Sequence, residues 1–281
     1  MSTTRSDIER PAGSGTEARG RPARRPWRAG RTAVITARVV LLIVLLSAWE
    51  ALSGPVVDPF FVSSPSAVAV EWWDWVISGQ LWFHASSTFY STIVGFAVGG
   101  SVAIVLGYLL GGSPWAAAVL EPFITGIYSL PKLALVPLFV LWFGIGRELQ
   151  VMIAAIVTFF LMFYNTYYGV REVDRSLVDA VRIMGGRRRD LAFRVRLPSA
   201  LVWVVAGLKL SVPQALVAVV VAEILASNRG LGHLVANNAG QFNTAGTFAA
   251  LATLLVIGLA LDRLAGLATR RALVWKEGAG R

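Results

Sequence analysis

The sequence predicts an all-α membrane protein of six transmembrane helices with both termini on the cytoplasmic side. Three observations point there. Hydrophobic residues make up 56% of the chain and charged ones only 15%, a balance unlike that of soluble globular domains. Apolar runs recur that are long enough to cross a hydrocarbon core of about 30 Å. Finally, the basic residues are partitioned between the two ends of those runs in the way that sets membrane orientation.

Residues 1–31 are polar, rich in Arg, Gly and Pro, and lack apolar periodicity; they read as a disordered cytoplasmic tail. A signal peptide is the rival reading, but the basic region is too long, and Thr32–Leu52 is long enough to span. That run is the first transmembrane helix, with Arg38 reaching back to the headgroups. Ser53–His84 carries no Lys or Arg and holds Trp72, Trp73, Trp75 and Trp82. It predicts an outside segment with a short interfacial helix, its indoles either at the headgroup level or packed on the protein itself. The segment 32–84 therefore precedes a transmembrane domain over 85–268, and 269–281 forms a second cytoplasmic tail.

Within 85–268, Ala85–Gly111 spans next, and Gly95, Gly99, Gly107 and Gly111 share one face that permits close helix packing. The third span, Ala116–Phe143, is interrupted by Pro122, Pro131 and Pro137. Kinks there free carbonyls that need partners inside the bundle. Leu149–Tyr168 is the fourth span, Ser199–Ala226 the fifth, Ser227–Ala245 a polar loop, and Gly246–Ala268 the sixth. With both ends inside, the inner side holds 22 basic residues and the outer side only Arg147 and Arg229. The remaining two, Lys132 and Lys209, fall within spans.

The net charge of +10 does not signal nucleic-acid binding, because no compact domain carries it. The chain has no cysteine, so disulfides and thiolate chemistry are excluded. His84 and His233 have no HxxxH partner or nearby carboxylate pair and read as ordinary residues at helix ends. No GxSxG, HExxH or GxxxxGK[ST] motif occurs; the chain is predicted not to be an enzyme and to bind no cofactor or metal. Intramembrane ionisable groups are functional hypotheses by default. The pathway candidates are Lys132 beside Pro131, Lys209 about 15 Å into the fifth span at helical rise, and Glu223 near its outer end. A lysine satisfied by a freed carbonyl, or snorkelling to water, is the competing explanation.

Between the fourth and fifth spans lies a basic island, Arg171–Pro198, with eight arginines against four acids. Asp174 is a suitable N-cap. Leu177, Val178, Val181 and Met184 recur at helical spacing, and Gly185-Gly186 ends the helix. So short an amphipathic helix cannot hold itself together in water. It needs a covering surface: headgroups, its own bundle, or a groove on a soluble partner.

Here the chain resembles the integral-membrane permease subunits of binding-protein-dependent bacterial ABC importers. Their loop between the fourth and fifth of six spans carries EAA, three residues, G, about nine residues, then I-x-LP. Asp179-Ala180-Val181 stands at EAA, Gly185 at the glycine, and Val195-Arg196-Leu197-Pro198 at the end. The likeness runs from about Phe61 to Val235. SSPSAV (63–68), SLPKLALVPLFVLWFGIG (129–146), YNTYYGVREVD (164–174) and VVAEILASNRGLGHLV (220–235) look like the nitrate/sulfonate/taurine branch, a pattern shared with pyrimidine-precursor permeases.

The resemblance implies a type I importer permease in the bacterial plasma membrane, working as a homodimer-forming pathway subunit for a small anionic solute. The island would be a coupling helix docked on a cytoplasmic ATPase dimer, which binds the ATP. Asp179 and the arginines would set its register by charge, Leu177, Val178, Val181 and Met184 would supply buried area, and Gly185 the tight turn between the two segments; Ala180, Leu197 and Pro198 belong to the same ATPase-coupling motif. A second permease copy would complete the pathway, and an extracytoplasmic solute-binding protein would dock outside. The readings from other classes are an ion-coupled secondary transporter using Lys132, Lys209 or Glu223, and a membrane-bound enzyme.

Overall fold

The computed structural model describes residues 30–277. The described chain falls into two compact units, one ending at Leu45 and one running from Leu46 onward. The elements in order are α1 (Arg31–Leu52), α2 (Pro65–Ile77), α3 (Gln80–Gly111), α4 (Pro114–Ser129), a 3-10 turn (Lys132–Leu135), α5 (Val136–Phe143) and α6 (Arg147–Arg171). They continue with α7 (Arg175–Ile183), a short α8 (Arg188–Asp190), a π-wound segment (Leu191–Arg196), α9 (Leu197–Ala226), α10 (Leu231–Gly240) and α11 (Thr244–Glu277). Five helical stretches are long and apolar enough to cross a membrane, and a sixth crossing results if α4 and α5 count as one broken span. The chain is an all-α, multi-pass integral membrane protein.

The tail expected over 1–31 lies outside the described residues up to position 29, and α1 begins at Arg31. The tail expected from 269 is helical in α11 as far as Glu277, and 278–281 lie outside.

Three helices make the heart of the second unit. α3 and α6 meet along the glycine face that the sequence predicts. A Cβ at Gly95 would collide with Ala154, one at Gly99 with the Ala155 backbone, and ones at Gly107 and Gly111 with Thr166 and the Tyr167 carbonyl. All four contacts are with α6, so side-chain-free positions let two backbones approach. α6 in turn packs its opposite face on α9 and α5, burying Leu149, Ile153 and Val157 with Val136, Phe139, Ala218 and Ala222.

Two sequence expectations are corrected. The third span is not one kinked helix over 116–143. It is two helices bent by 77° about the 3-10 turn. Leu130 is extended, at φ −67° and ψ 136°, as a residue before proline is driven to be. Pro137 then sits in the first turn of α5, where a missing N–H costs nothing. Pro122, by contrast, is accommodated inside α4.

The stretch 227–245 is not simply a polar loop, since it contains α10. Leu231 and Leu234 lie three apart, and both are buried with Trp75, Leu81, Ala249 and Ala250. This second cluster joins α2, α3, α10 and α11 at one end of the bundle. Trp75 belongs to it, while Trp73 and Trp82 are exposed. Of the four tryptophans of the predicted outer segment, Trp75 is thus packed on the protein itself.

Candidate functional site

The chemistry-bearing residues gather in three places: the two ends of the bundle and the break in the third span.

At the first end, the island is assembled as a capped helix, a turn and a helical re-entry. The Asp174 carboxylate accepts from the Ser176 N–H at 2.8 Å. This hydrogen bond holds its carboxyl below the usual range. α7 then closes at Gly185, whose φ is +73°. The Gly185 N–H donates to the Arg182 carbonyl at 3.0 Å and the Gly186 N–H to the Val181 carbonyl at 2.8 Å. That pair of bonds needs the left-handed conformation, which glycine adopts without a Cβ penalty. The chain re-enters a helix at once: the Arg187 N–H donates to the Asp190 carboxylate at 2.9 Å.

The loop is pinned to the bundle by a few bonds. Arg171 pairs with Glu121 at 2.9 Å, the Tyr108 hydroxyl donates to the Ala192 carbonyl at 2.9 Å, and Arg196 donates to the Gly112 carbonyl at 3.0 Å. These contacts draw the ends of α3 and α6 and the start of α9 to one level. Val178 and Val181 are half-buried toward that body. Leu177, Ile183 and Met184 are exposed, the last two at 87% and 84%. Asp179 is exposed, 3.6 Å from Arg182; Ala180 and Pro198 are half-buried and Leu197 exposed. Sequence periodicity selects Leu177, Val178, Val181 and Met184 as the stripe and misses Ile183. A helical period defines a face, but it does not say which edge of that face the bundle covers.

At the opposite end lies a buried polar network that the sequence barely signals. Glu223, on α9, is fully buried. Its carboxylate accepts from the Thr88 hydroxyl at 2.9 and 3.0 Å and from the Gly232 N–H at 2.8 Å. Thr88 Oγ1 in turn accepts from the Leu231 N–H at 2.8 Å. His84 Nδ1 accepts from the Gly230 N–H at 3.0 Å, and its ring lies 5.9 Å from that of His233. Gln150 on α6 donates to Ser227 at 2.8 Å and accepts from Ser91 at 2.7 Å. Gly230 and Gly232 have no room for a Cβ against Glu223. Four elements are thereby tied through satisfied buried groups. Glu223 was visible in the sequence only as an ionisable residue near a span end, because its partner Thr88 lies 135 residues away. No cluster of three metal-ligating side chains occurs among the described residues.

The third place is the 77° break. Lys132 is half-buried there and donates to the Tyr128 carbonyl at 2.6 Å and the Leu130 carbonyl at 3.3 Å. These are carbonyls at the end of α4 that the interrupted helix leaves free. The amine also lies 4.8 Å from the Tyr128 ring and 5.3 Å from that of Phe160, a cation–π arrangement. Lys132 lines two cavities of about 450 and 360 Å³. Gln214 of α9 shares the second, and no periodicity argument had singled it out. Lys209 is exposed on α9, as are Pro213 and Gln214 a turn further on. Lys132 and Glu223 thus occupy unlike settings, one at cavities and one sealed in the protein.

The profile of a family described as "Binding-protein-dependent transport system inner membrane component" matches residues 103–274. The riboflavin transport system permease protein RibX of Chloroflexus aurantiacus is 36% identical over 240 residues, covering 84% of this chain and 89% of that protein. The taurine transport system permease protein TauC of Escherichia coli is 27% identical over 256 residues, covering 89% and 93%. Among solved structures, one titled as an amino acid ABC transporter with histidines superposes with a TM-score of 0.57 at 18% identity, covering 72% of this chain and 96% of that one.

Proposed function

The chain belongs to the binding-protein-dependent transport system inner membrane components, and from that premise we propose how it works as the permease subunit of an ABC importer. The subunit is not itself catalytic, and ATP hydrolysis resides on a separate chain. In the proposed arrangement both termini are cytoplasmic, and the Arg171–Pro198 loop faces a cytoplasmic ATPase dimer. A second copy of the permease completes the pathway, and a solute-binding protein delivers cargo from outside.

One observation carries the coupling proposal: a capped, glycine-terminated helix presents Leu177, Ile183 and Met184 to solvent. An apolar edge of that kind on a basic loop suits a groove on a soluble protein. It can transmit work only if the groove binds it better in one nucleotide state than in another. Asp179 and Arg182 would then set its register by charge.

For the pathway, Lys132 and the exposed α9 face carrying Lys209 and Gln214 support an anionic solute. A cation near the midplane is costly against lipid. The face that holds Lys209 is therefore read as turned to the space between two copies. An amine among Tyr128 and Phe160, at cavities of a few hundred Å³, fits a small organic anion of the sulfonate type.

The test is Gly185→Val in the reconstituted transporter with its ATPase and binding protein. Valine resists the left-handed conformation, at roughly 1–3 kcal/mol, so α7 loses its stop while the membrane helices keep theirs. The expected result is normal membrane insertion, retained ATP hydrolysis and lost uptake. Wild-type uptake would remove the turn from the coupling role. Uptake that persists without ATP and collapses with the proton gradient would instead support ion-coupled transport.

A further inference from the structure

A cavity of about 550 Å³ opens between α7 and the turn from α3 to α4, and it differs from every other cavity described above in being polar. Arg171, Arg182 and Arg196 line it, together with Asp179, Gly112 and Pro114. Its charges do not balance. Arg171 is neutralised by Glu121 at 2.9 Å. Arg182 meets Asp179 only at 3.6 Å, with both side chains nearly two-thirds exposed, and such pairs hold little energy. Arg196 has five N–H donors; its hydrogen bond among the described residues goes to the Gly112 carbonyl at 3.0 Å, with no carboxylate within salt-bridge reach among them. Two guanidiniums on the lining of one open cavity therefore keep donors free.

The position of the cavity narrows the ligand. Gly111 and Gly112 end the apolar α3, Arg171 ends α6, and Arg196 precedes α9. Three membrane-crossing stretches stop or start around the opening, so it lies where hydrocarbon gives way to headgroups. Planar guanidiniums match the oxygens of a phosphate group two at a time. Basic pockets between membrane helices at that level suit acidic phospholipid headgroups.

We propose that the Arg182/Arg196 cavity binds a phosphate group, carried by an acidic phospholipid or free in solution, between the α7 loop and the membrane helices. Its occupancy would fix the distance between α7 and the bundle, so the surrounding leaflet would take part in holding the coupling loop. The assignment of that leaflet as cytoplasmic rests on the proposed orientation; the binding itself does not.

The experiment is native mass spectrometry of the full-length chain in detergent, titrated with phosphatidylglycerol, with phosphatidylethanolamine and with inorganic phosphate at matched ionic strength. Wild type should retain phosphatidylglycerol over phosphatidylethanolamine. Arg182→Gln and Arg196→Gln should each weaken that retention about 5-fold, the worth of one arginine near a charged headgroup layer. Arg189→Gln, on the same loop but outside the cavity, should not weaken it. Displacement of the lipid by inorganic phosphate at low excess would assign the site to free phosphate; resistance assigns it to the lipid. Equal retention of both lipids in wild type together with no binding of inorganic phosphate, or an equal loss in Arg189→Gln, would overturn the site. Arg182 is exposed, so its variant stays informative even if Arg196→Gln fails to fold. Labelling of a cysteine at position 189 from one side of sealed vesicles tests the orientation separately. Its failure would move the site to the other leaflet without removing it.

Discussion

The two ends of this bundle are built on opposite physical terms. At the Glu223 end, polar groups are buried and every bond named above has both partners inside the protein. At the Arg171–Pro198 end, polar and apolar groups alike face outward, and a few bonds tie the loop to the helices. Buried, satisfied networks rigidify a single arrangement. Sparse contact and exposed hydrogen bonds mark regions that open at low cost. The comparison teaches that one end keeps its geometry through its own buried bonds, whereas the other leaves an apolar edge exposed, as the proposed coupling role requires. The proposed coupling needs both: a loop that another protein can grip, and a far end stiff enough for the push to reach it as a unit.

The largest expected effect breaks the stiff end. Glu223→Leu keeps the volume roughly constant but leaves the Gly232 N–H without its acceptor and the Thr88 hydroxyl with only the His84 carbonyl at 3.4 Å. Each unsatisfied buried donor costs roughly 1–3 kcal/mol, so the loss should reach about 3 kcal/mol or more. The melting temperature of the detergent-solubilised protein should fall clearly, and Glu223→Gln, which keeps an acceptor, should fall less. If the two variants melt together with wild type, the network is not what holds this end.

A smaller effect should come from the seam that joins the ends. Gly99→Val places a branched side chain against the Ala155 backbone, where not even a Cβ fits. Overpacking of this kind costs about 1–3 kcal/mol. The expected outcome is partial destabilisation together with weakened uptake, because α3 and α6 would then separate between the two ends. Reduced melting with normal uptake would show that the ends need no rigid link.

How far this was legible in the sequence follows from the range of the interactions. The spans and the glycine face were readable because hydropathy and four-residue spacing are local properties. The prolines of the third span announced a break, but the 77° bend depends on what packs against each half. α10 was hidden because LGHLVANNAG is short and bounded by glycines, and its two buried leucines matter only once Trp75 and Leu81 are beside them. The basic loop was readable in outline, since Asp174 and Gly185 act within four residues of themselves. Glu223 was not, because its meaning lies in Thr88 and Gly232. The cap and the turn of the loop are short-range and written in order along the chain, whereas the bonds that pin the loop to the bundle and the Thr88–Glu223 bond at the far end join residues 50 to 135 positions apart.

The last contrast concerns the grip alone. Ile183 and Met184 touch little of their own protein, so changing them should leave the fold indifferent. For Ile183→Ser with Met184→Ser, the melting temperature should stay near wild type, since substitutions at such exposed positions fall within about ±0.5 kcal/mol. Yet each side chain, if buried in a partner's groove, is worth roughly 1.5–3 kcal/mol. The same double variant should therefore lose at least about 10-fold in affinity for the ATPase, measured by co-purification at graded concentrations. Val178→Ser, on the half-buried edge of the same helix, should behave the other way, costing stability before it costs affinity. If the double variant binds the ATPase as wild type does, the exposed edge serves the headgroups and not a protein. The apolar contact of the lever must then come from the edge that the bundle now half-covers, which would require α7 to swing outward before it can be gripped.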